Sequence, residues 1–429
     1  MAGHVEDRWW RDKTTDTGEV VLNEKGKPVR EKTDLYGKGL RYRVRYYVNR
    51  RERSKSFPDG KLGRAKAFLA KVQTDALTGT YVDPDAGKVR LRAYVADYLK
   101  GGSDDPGTQQ TLQSKLERMV FDFFGDCDLV EITRDRVREW LGWMQTRGGK
   151  RLFSATYRAS MFDLLSSILS AAVDDGKISE NPCRAKSIKR PKPVIRKVVP
   201  WEDEKLWRIE DALPHPYKIV AHLGAGLGLR QMEAFGFSPD DIDRRKREAH
   251  IVRQVRWING QPTFAPPKRG KTRIVPLGER LERSIDHYVD EYEPLVVTLP
   301  WVHPAGELVS ARLLINKAVD GIRRRILQNP HSARLWQAQT FHSDIWVPAF
   351  TAAGLTYVKH QDGTHALRHY YASTLLEQGV SIKALSEYLG HSNPAFTLKV
   401  YTHLMPSSHE SARRASDKIF KPRVIPGAA

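Results

Sequence analysis

Residues 184–200, RAKSIKRPKPVIRKVVP, hold three prolines and seven lysines or arginines. Proline fixes φ and removes a backbone donor, so this stretch is too rigid and too charged for a helix. It reads as an interdomain linker over 186–200, and it splits the chain into regions with different hydrophobic periodicities. Being basic and extended, it could also track a polyanion's backbone between two domains.

Before the linker lie two patterns. In LRYRVRYYV, residues 40–48, Arg41, Arg43 and Arg45 alternate with Tyr42, Val44 and Tyr46, which gives a strand one cationic and one apolar face. Such a face suits phosphates, and equally its arginines would keep an edge strand soluble. NRRERSKSF reads as the hairpin return, and GRAKAFLAKVQTDALTG then places Ala67, Phe68, Val72 and Ala76 at helical spacing. Residues 88–185 turn helical in four segments, with Thr133 and Ser154 where N-caps are expected. Their aromatic stripes, such as Trp140 with Leu141 and Met144, read as core.

After the linker, helices from Trp201 give way to strands in AHIVRQVRW and TRIVPL, joined through the Asn259-Gly260 hairpin signal, and then to helices again. Trp336 and Trp346 read as packing centres of the 328–360 stretch, and no repeat of 20–50 residues is evident. The expected fold class is multidomain α+β: a small sheet with one helix over 1–82, an all-α module over 88–185, the linker, a mixed α/β domain over 201–408, and a tail over 409–429.

Composition narrows the function. Lysine and arginine number 71 against 51 acidic residues, a net charge of +20, which favours a polyanionic partner and nucleic acid above all, although a basic surface also serves solubility alone. No run of eighteen apolar residues occurs, and MAGHVEDRWW has neither a cationic nor an apolar leader region, so neither secretion nor membrane insertion is expected. Cys127 and Cys183 lack metal-ligand spacing and point to no disulfide framework, as suits a reducing cytoplasm.

Four separated pieces of the last region stand out together: GLGLRQMEA with Arg230, PPKRGKTRIVPL with Lys268, THALRHYYAS with His365 and Arg368, and GHSNPAFTLKVYTHL with His391 and Tyr401. Singly, each is bland: a helical arginine is usually a solvated face, and a helical tyrosine is usually core. In this order they resemble the tyrosine recombinase family, the integrases of temperate phages and integrative elements. The arginine motif G-[LM]-R-x-x-E is met by Gly228, Leu229, Arg230 and Glu233. The H-x-L-R-H box is met by His365, Leu367, Arg368 and His369, and the L-G-H-x-n-Y pattern by Leu389, Gly390, His391 and Tyr401. The family's hairpin lysine falls on Lys268, eight positions before Pro276.

The residue types fit the implied chemistry. A phenol can attack phosphorus and hold the bond energy in an aryl phosphate ester for religation, the role of Tyr401. Two guanidiniums can grip the non-bridging oxygens as charge develops, the role of Arg230 and Arg368. An ammonium, Lys268, can protonate the leaving 5′-oxygen, and His365 can accept or relay the tyrosyl proton while His391 hydrogen-bonds the phosphate. Glu233, three residues after Arg230, orients a neighbour.

Two look-alikes fall away. RGKT, at 269–272, resembles the end of a phosphate-binding loop, but position 265 is Ala265 where that motif needs glycine. His365 and His369 sit four apart, yet there is no metalloprotease glutamate between them and no evident third ligand.

The resemblance implies recombination without metal, ATP or other cofactor. Double-stranded DNA at attachment sites would be exchanged through a 3′-phosphotyrosyl bond and a Holliday junction by a homotetramer on two duplexes, with accessory directionality or DNA-bending factors as further partners. It also implies an arm-type DNA-binding role for the amino-terminal sheet, with Arg41, Arg43 and Arg45 as contacts. A type IB topoisomerase would use the same groups on one duplex, a non-catalytic DNA-binding regulator would need only the basic surface, and a metal-dependent integrase would need carboxylate ligands instead.

Overall fold

A computed structural model describes residues 3–48, 51–78, 81–83, 85–102, 105–146, 153–194, 197–316 and 335–404, with Arg413, Ser416 and Asp417. Most of the tail expected over 409–429, and residues 328–334 of the stretch assigned to packing, lie outside the described residues. The chain forms two compact units, Met1–Gly102 with Lys115–Val194, and Ser103–Ser114 with Ile195–Ala429.

The first unit contains two separate apolar cores. In one, the central strand Tyr42–Val48 pairs antiparallel with Gly3–Asp7 and with Arg51–Phe57, and the helix Leu62–Leu77 covers one face. Alternation along the strand buries Tyr42, Val44 and Tyr46 against Ala65 and Val72, and turns Arg43 and Arg45 away from them. A two-stranded pair, Trp10–Asp12 with Arg30–Lys32, is inserted between the first strand and the central one. The second core gathers the helices Leu91–Lys100, Arg134–Thr146 and Ala155–Asp174 with the helical residues Leu116–Phe124 around Trp140, Phe124 and Leu165. Ser154 accepts the Tyr157 amide at 3.1 Å and Thr133 the Arg136 amide at 3.3 Å, each as an N-cap.

Two boundaries differ from the sequence reading. The basic proline stretch does not begin as a free linker: Ile188 is buried in the helical core, and Arg190 forms a bidentate pair with Asp163, both contacts at 2.6 Å. Periodicity could not register one apolar residue between charges. Residues 103–114, expected within the helical module, group with the second unit because Arg256 grips Asp105 at 2.6 and 2.8 Å and the Asn259 amide reaches Gln110.

The second unit is mixed α and β. The strand Glu248–Ile251 lies between Ile242–Asp243 and Arg273–Pro276, while Gln254–Ile258 and Gln261–Ala265 form a separate hairpin. Its turn is the expected Asn259-Gly260, both residues at positive φ as a type I′ turn needs. Another hairpin, Leu295–Pro300 with Leu308–Leu313, was not foreseen. Helices surround these strands, and Trp346 stacks on Trp201 with centroids 6.1 Å apart, while Trp336 packs edge-on to Tyr217 and Phe341. No helix among the described residues is long and apolar enough to cross a membrane.

Candidate active site

Two helix ends build the site. The helix Lys218–Leu227 stops at Gly228 and Ile382–Leu389 stops at Gly390, both in the left-handed conformation, with φ of 61° and 62°. Glycine adopts this cap without penalty. At Gly228 it also allows close approach, since a Cβ there would lie 2.5 Å from the Tyr371 ring. Each cap presents a carbonyl inward, and Arg368 takes both: Nη1 donates to Gly228 O at 2.7 Å and Nη2 to Leu389 O. The glycines of two motifs thereby aim the arginine of a third.

Arg368, 1% exposed, lies on the helix His365–Glu377. Its Nη2 also donates to His391 Nε2 at 3.2 Å, which leaves the His391 proton on Nδ1 for donation to Thr397 Oγ1 at 2.7 Å. Burial, and then Arg230 and Arg273, lower the Arg368 pKa to about 9, so it remains cationic at neutral pH.

Arg230 is not inside a helix, as the sequence reading had it, but at the N-cap of Gln231–Phe235. The Glu233 carboxylate, wholly buried, reaches back to the Arg230 amide at 2.9 Å and its Nη1 at 2.7 Å. Glu233 also takes two bonds from Arg273, at 3.1 and 2.7 Å, and Arg273 Nε donates to Tyr388 O. Burial alone would raise the Glu233 pKa; the Arg273 hydrogen bond and the charges of Arg273 and Arg230 overcome it and bring the group down to about 2. Arg273 escaped the sequence reading. The available signal was a charged residue two positions before the buried Val275, on the inward face of its strand.

Tyr401 ends the helix Pro394–Tyr401 and is 1% exposed. Among the described residues its hydroxyl has one hydrogen-bond partner, His369 Nδ1 at 2.7 Å, and not His365. The His365 and His369 rings meet edge to face, with centroids 4.7 Å apart. Burial raises the Tyr401 pKa to about 12, with Arg368 opposing. Desolvation, followed by Arg368, lowers His369 to about 4. His391 falls to about 3 through desolvation and the charges of Arg368, Arg230 and Arg273, and desolvation with neighbouring His369 and Arg368 lowers His365 as well. The imidazoles are therefore neutral at neutral pH among fixed cations, an arrangement that favours an anionic ligand.

Asp362 fixes the loop before His365: it accepts from Trp201 Nε1 at 3.0 Å, Lys205 Nζ at 2.6 Å and the Val358 amide at 2.9 Å. Beyond it an open cavity of about 500 Å³ is lined by His342, Lys359, His360, His365 and His369.

Lys268 is exposed, and its setting differs from expectation. Gln261–Ala265 and Arg273–Pro276 pair with different strands, so Lys268 lies in a connection between sheets and not in a hairpin. Its neighbour Arg269 donates to Ser392, next to His391, which ties this connection to the cluster. Arg41 is bound by Asp7 and Asp59 at 2.9 Å each, and Arg45 lies 3.5 Å from Glu6 and from Glu52. Among the described residues one group of three side chains has metal-ligating geometry, Asp243, Glu248 and His250, and it includes no residue of this cluster.

Comparison with known proteins agrees with the cluster. Residues 202–407 match the Phage integrase family. A tyrosine recombinase XerC-like protein of Caldanaerobacter subterraneus subsp. tengcongensis is 26% identical over 275 residues, 60% of this chain and 65% of that relative, just under two thirds of its length. The integrase of Mycobacterium phage D29 is 24% identical over 336 residues, 77% of this chain and 79% of its own. Among solved structures, the Tn1549 transposon integrase in complex with a circular intermediate DNA superposes with a TM-score of 0.60 at 18% identity, covering 77% of this chain and 99% of that one. A lambda integrase tetramer bound to a Holliday junction gives 0.53 at 16%, covering 88% and 97%. Residues 202–407, just under half of the chain, belong to the tyrosine recombinase, or phage integrase, family.

Proposed function

We propose that this protein is a site-specific DNA recombinase, an integrase that cuts and rejoins strands through a 3′-phosphotyrosyl intermediate on Tyr401. What supports the reading is the meeting of Arg368, His391 and Tyr401 with the Arg230–Glu233–Arg273 network, from motifs up to 171 positions apart in sequence, a cluster of fixed cations beside a phenol.

The scissile phosphate binds at that cluster. Arg230 and Arg368, already aimed by Glu233 and by two helix-end carbonyls, stabilise the charge that grows on the non-bridging oxygens without reorganising. The Tyr401 oxygen attacks phosphorus and Lys268 protonates the departing 5′-oxygen, while His365 and His391 flank the phosphate. A 5′-hydroxyl from the partner duplex then attacks the phosphotyrosyl bond. The ester conserves the energy of the broken bond, so neither metal nor ATP is consumed. Four copies bridge two duplexes and pass through a Holliday junction. Arg43 and Arg45, with Arg41, serve an arm-type site, and 1–82, 88–185 and 201–408 act as arm-binding, core-binding and catalytic domains.

The test searches the DNA flanking the gene for a direct repeat, builds a nicked duplex on it and incubates that duplex with protein in EDTA. Covalent adduct is expected. Relaxation of arbitrary supercoiled plasmid without strand exchange would favour a topoisomerase, and no adduct on a site the protein binds would favour a regulator.

A further inference from the structure

The recombinase reading leaves the phenolic proton of Tyr401 without a settled acceptor, and the residue in contact with that hydroxyl is not the one the family pattern offers. We propose that His369 is the catalytic base for Tyr401: it takes the phenolic proton as the oxygen attacks phosphorus and returns it when the phosphotyrosyl bond is resolved.

Contact is the first ground. His369 Nδ1 stands 2.7 Å from the Tyr401 oxygen with ring centroids 5.7 Å apart, within reach for proton transfer. His365, one helical turn earlier, meets the His369 ring and has no bond to Tyr401. The second ground is the surroundings. Arg368 and His365 flank His369 on its own helix, Tyr401 faces it from the end of Pro394–Tyr401, and Lys359, His360 and His342 share its cavity. No carboxylate is among them, so no group among the described residues holds an extra proton on the imidazole, and with its hydrogen on Nε2 the ring points a lone pair at the hydroxyl. The phosphate of bound DNA brings the negative charge that offsets Arg368 and makes the imidazolium tenable at the moment it forms.

The step balances. The bond from the Tyr401 oxygen to phosphorus forms as the bond from phosphorus to the 5′-oxygen breaks; the phenolic proton goes to His369 Nδ1, and the 5′-oxygen takes its proton from Lys268. In resealing, the 5′-hydroxyl attacks phosphorus and gives its proton to Lys268, while the tyrosyl oxygen leaves with the proton from His369.

This inference rests on the recombinase reading and is tested apart from it. Single-turnover cleavage of the nicked duplex is followed against pH for the wild type, His369→Asn, His369→Gln, Lys268→Ala and Tyr401→Phe, each checked for DNA binding and melting temperature. A second substrate carries sulfur at the 5′-leaving position, where a thiolate departs without a proton donor. Loss of a general base should slow His369→Asn and His369→Gln about 10²–10³-fold near neutral pH, with recovery of roughly tenfold per pH unit as hydroxide replaces it. Sulfur should rescue Lys268→Ala but neither His369 variant. Cleavage by the His369 variants at the wild-type rate or faster, or slowed equally at every pH, with Tyr401→Phe inactive, would overturn the role of His369 and leave the recombinase reading standing. Adduct from Tyr401→Phe would overturn both.

Discussion

Two sets of three arginines set the amino-terminal sheet against the candidate active site. Arg41, Arg43 and Arg45 lie on or beside one strand at perfect alternation, and the structure gives Arg41 half-buried and Arg45 exposed acidic neighbours. Arg230, Arg273 and Arg368 come from separate elements, are mostly buried, and are held by one carboxylate and three backbone carbonyls. The first set advertises charge, and the second fixes its direction. A guanidinium that only approaches exposed carboxylates, as Arg45 does, can swing to another anion, whereas Arg368 and Arg273, fixed by buried carbonyls or a buried carboxylate, keep a single orientation, which transition-state binding requires.

Four measurements bear on that contrast. The largest effect is expected at Arg368→Lys. An ammonium cannot span the Gly228 and Leu389 carbonyls while also facing the phosphate, so single-turnover cleavage should fall about 10²–10³-fold with DNA affinity largely retained. Near-normal cleavage by this variant would remove the claim that orientation matters.

Next in size is Glu233→Ala, which strands Arg230 and Arg273 without their shared carboxylate and should cost about 3–5 kcal/mol in denaturant unfolding of the variant. A loss of a few tenths, as for a surface pair, would show that the two sets differ less than their burial suggests.

Acid should separate the two regions as well. His369 and His391 have folded pKa values lowered from 6.5 to about 4 and about 3. Below the ordinary value the unfolded chain binds more protons, so the stability these neutral rings contribute is present above 6.5 and lost as pH falls. The Glu233 contribution, with a pKa lowered from 4.5 to about 2, is lost only further down. The melting temperature should thus drop between about pH 7 and 5, and less so in His369→Asn.

The smallest effect belongs to the sheet. Arg43→Ala with Arg45→Ala should change stability by no more than about 0.5 kcal/mol. If both contact phosphates, the salt dependence of DNA binding should flatten by about one unit of slope for each.

Legibility in the sequence followed the same division. Local pattern disclosed what local physics determines: the alternation of Tyr42, Val44 and Tyr46, the Asn259-Gly260 turn and the Ser154 cap. The motif glycines were visible as letters, while their reason, carbonyls turned toward Arg368, needed the fold. Arg273 and the contact of His369 with Tyr401 depend on elements 40 and 32 positions away, beyond any window of periodicity. The Leu295–Pro300 hairpin was masked by prolines at the start and in the middle of its connection, Pro300 and Pro304, which read as punctuation and not as a strand pair. Ile188 shows the converse, a single buried side chain in a stretch whose charge argued for solvent.

The central claim is that one phenolic oxygen becomes ester-linked to DNA. The most direct measurement digests the adduct trapped on the nicked duplex with protease and nuclease and identifies the nucleotide-bearing peptide by mass spectrometry. The expected peptide contains Tyr401, joined through a 3′-phosphate, and is absent from Tyr401→Phe. A nucleotide on any other residue, or adduct persisting in that variant, would contradict the assignment.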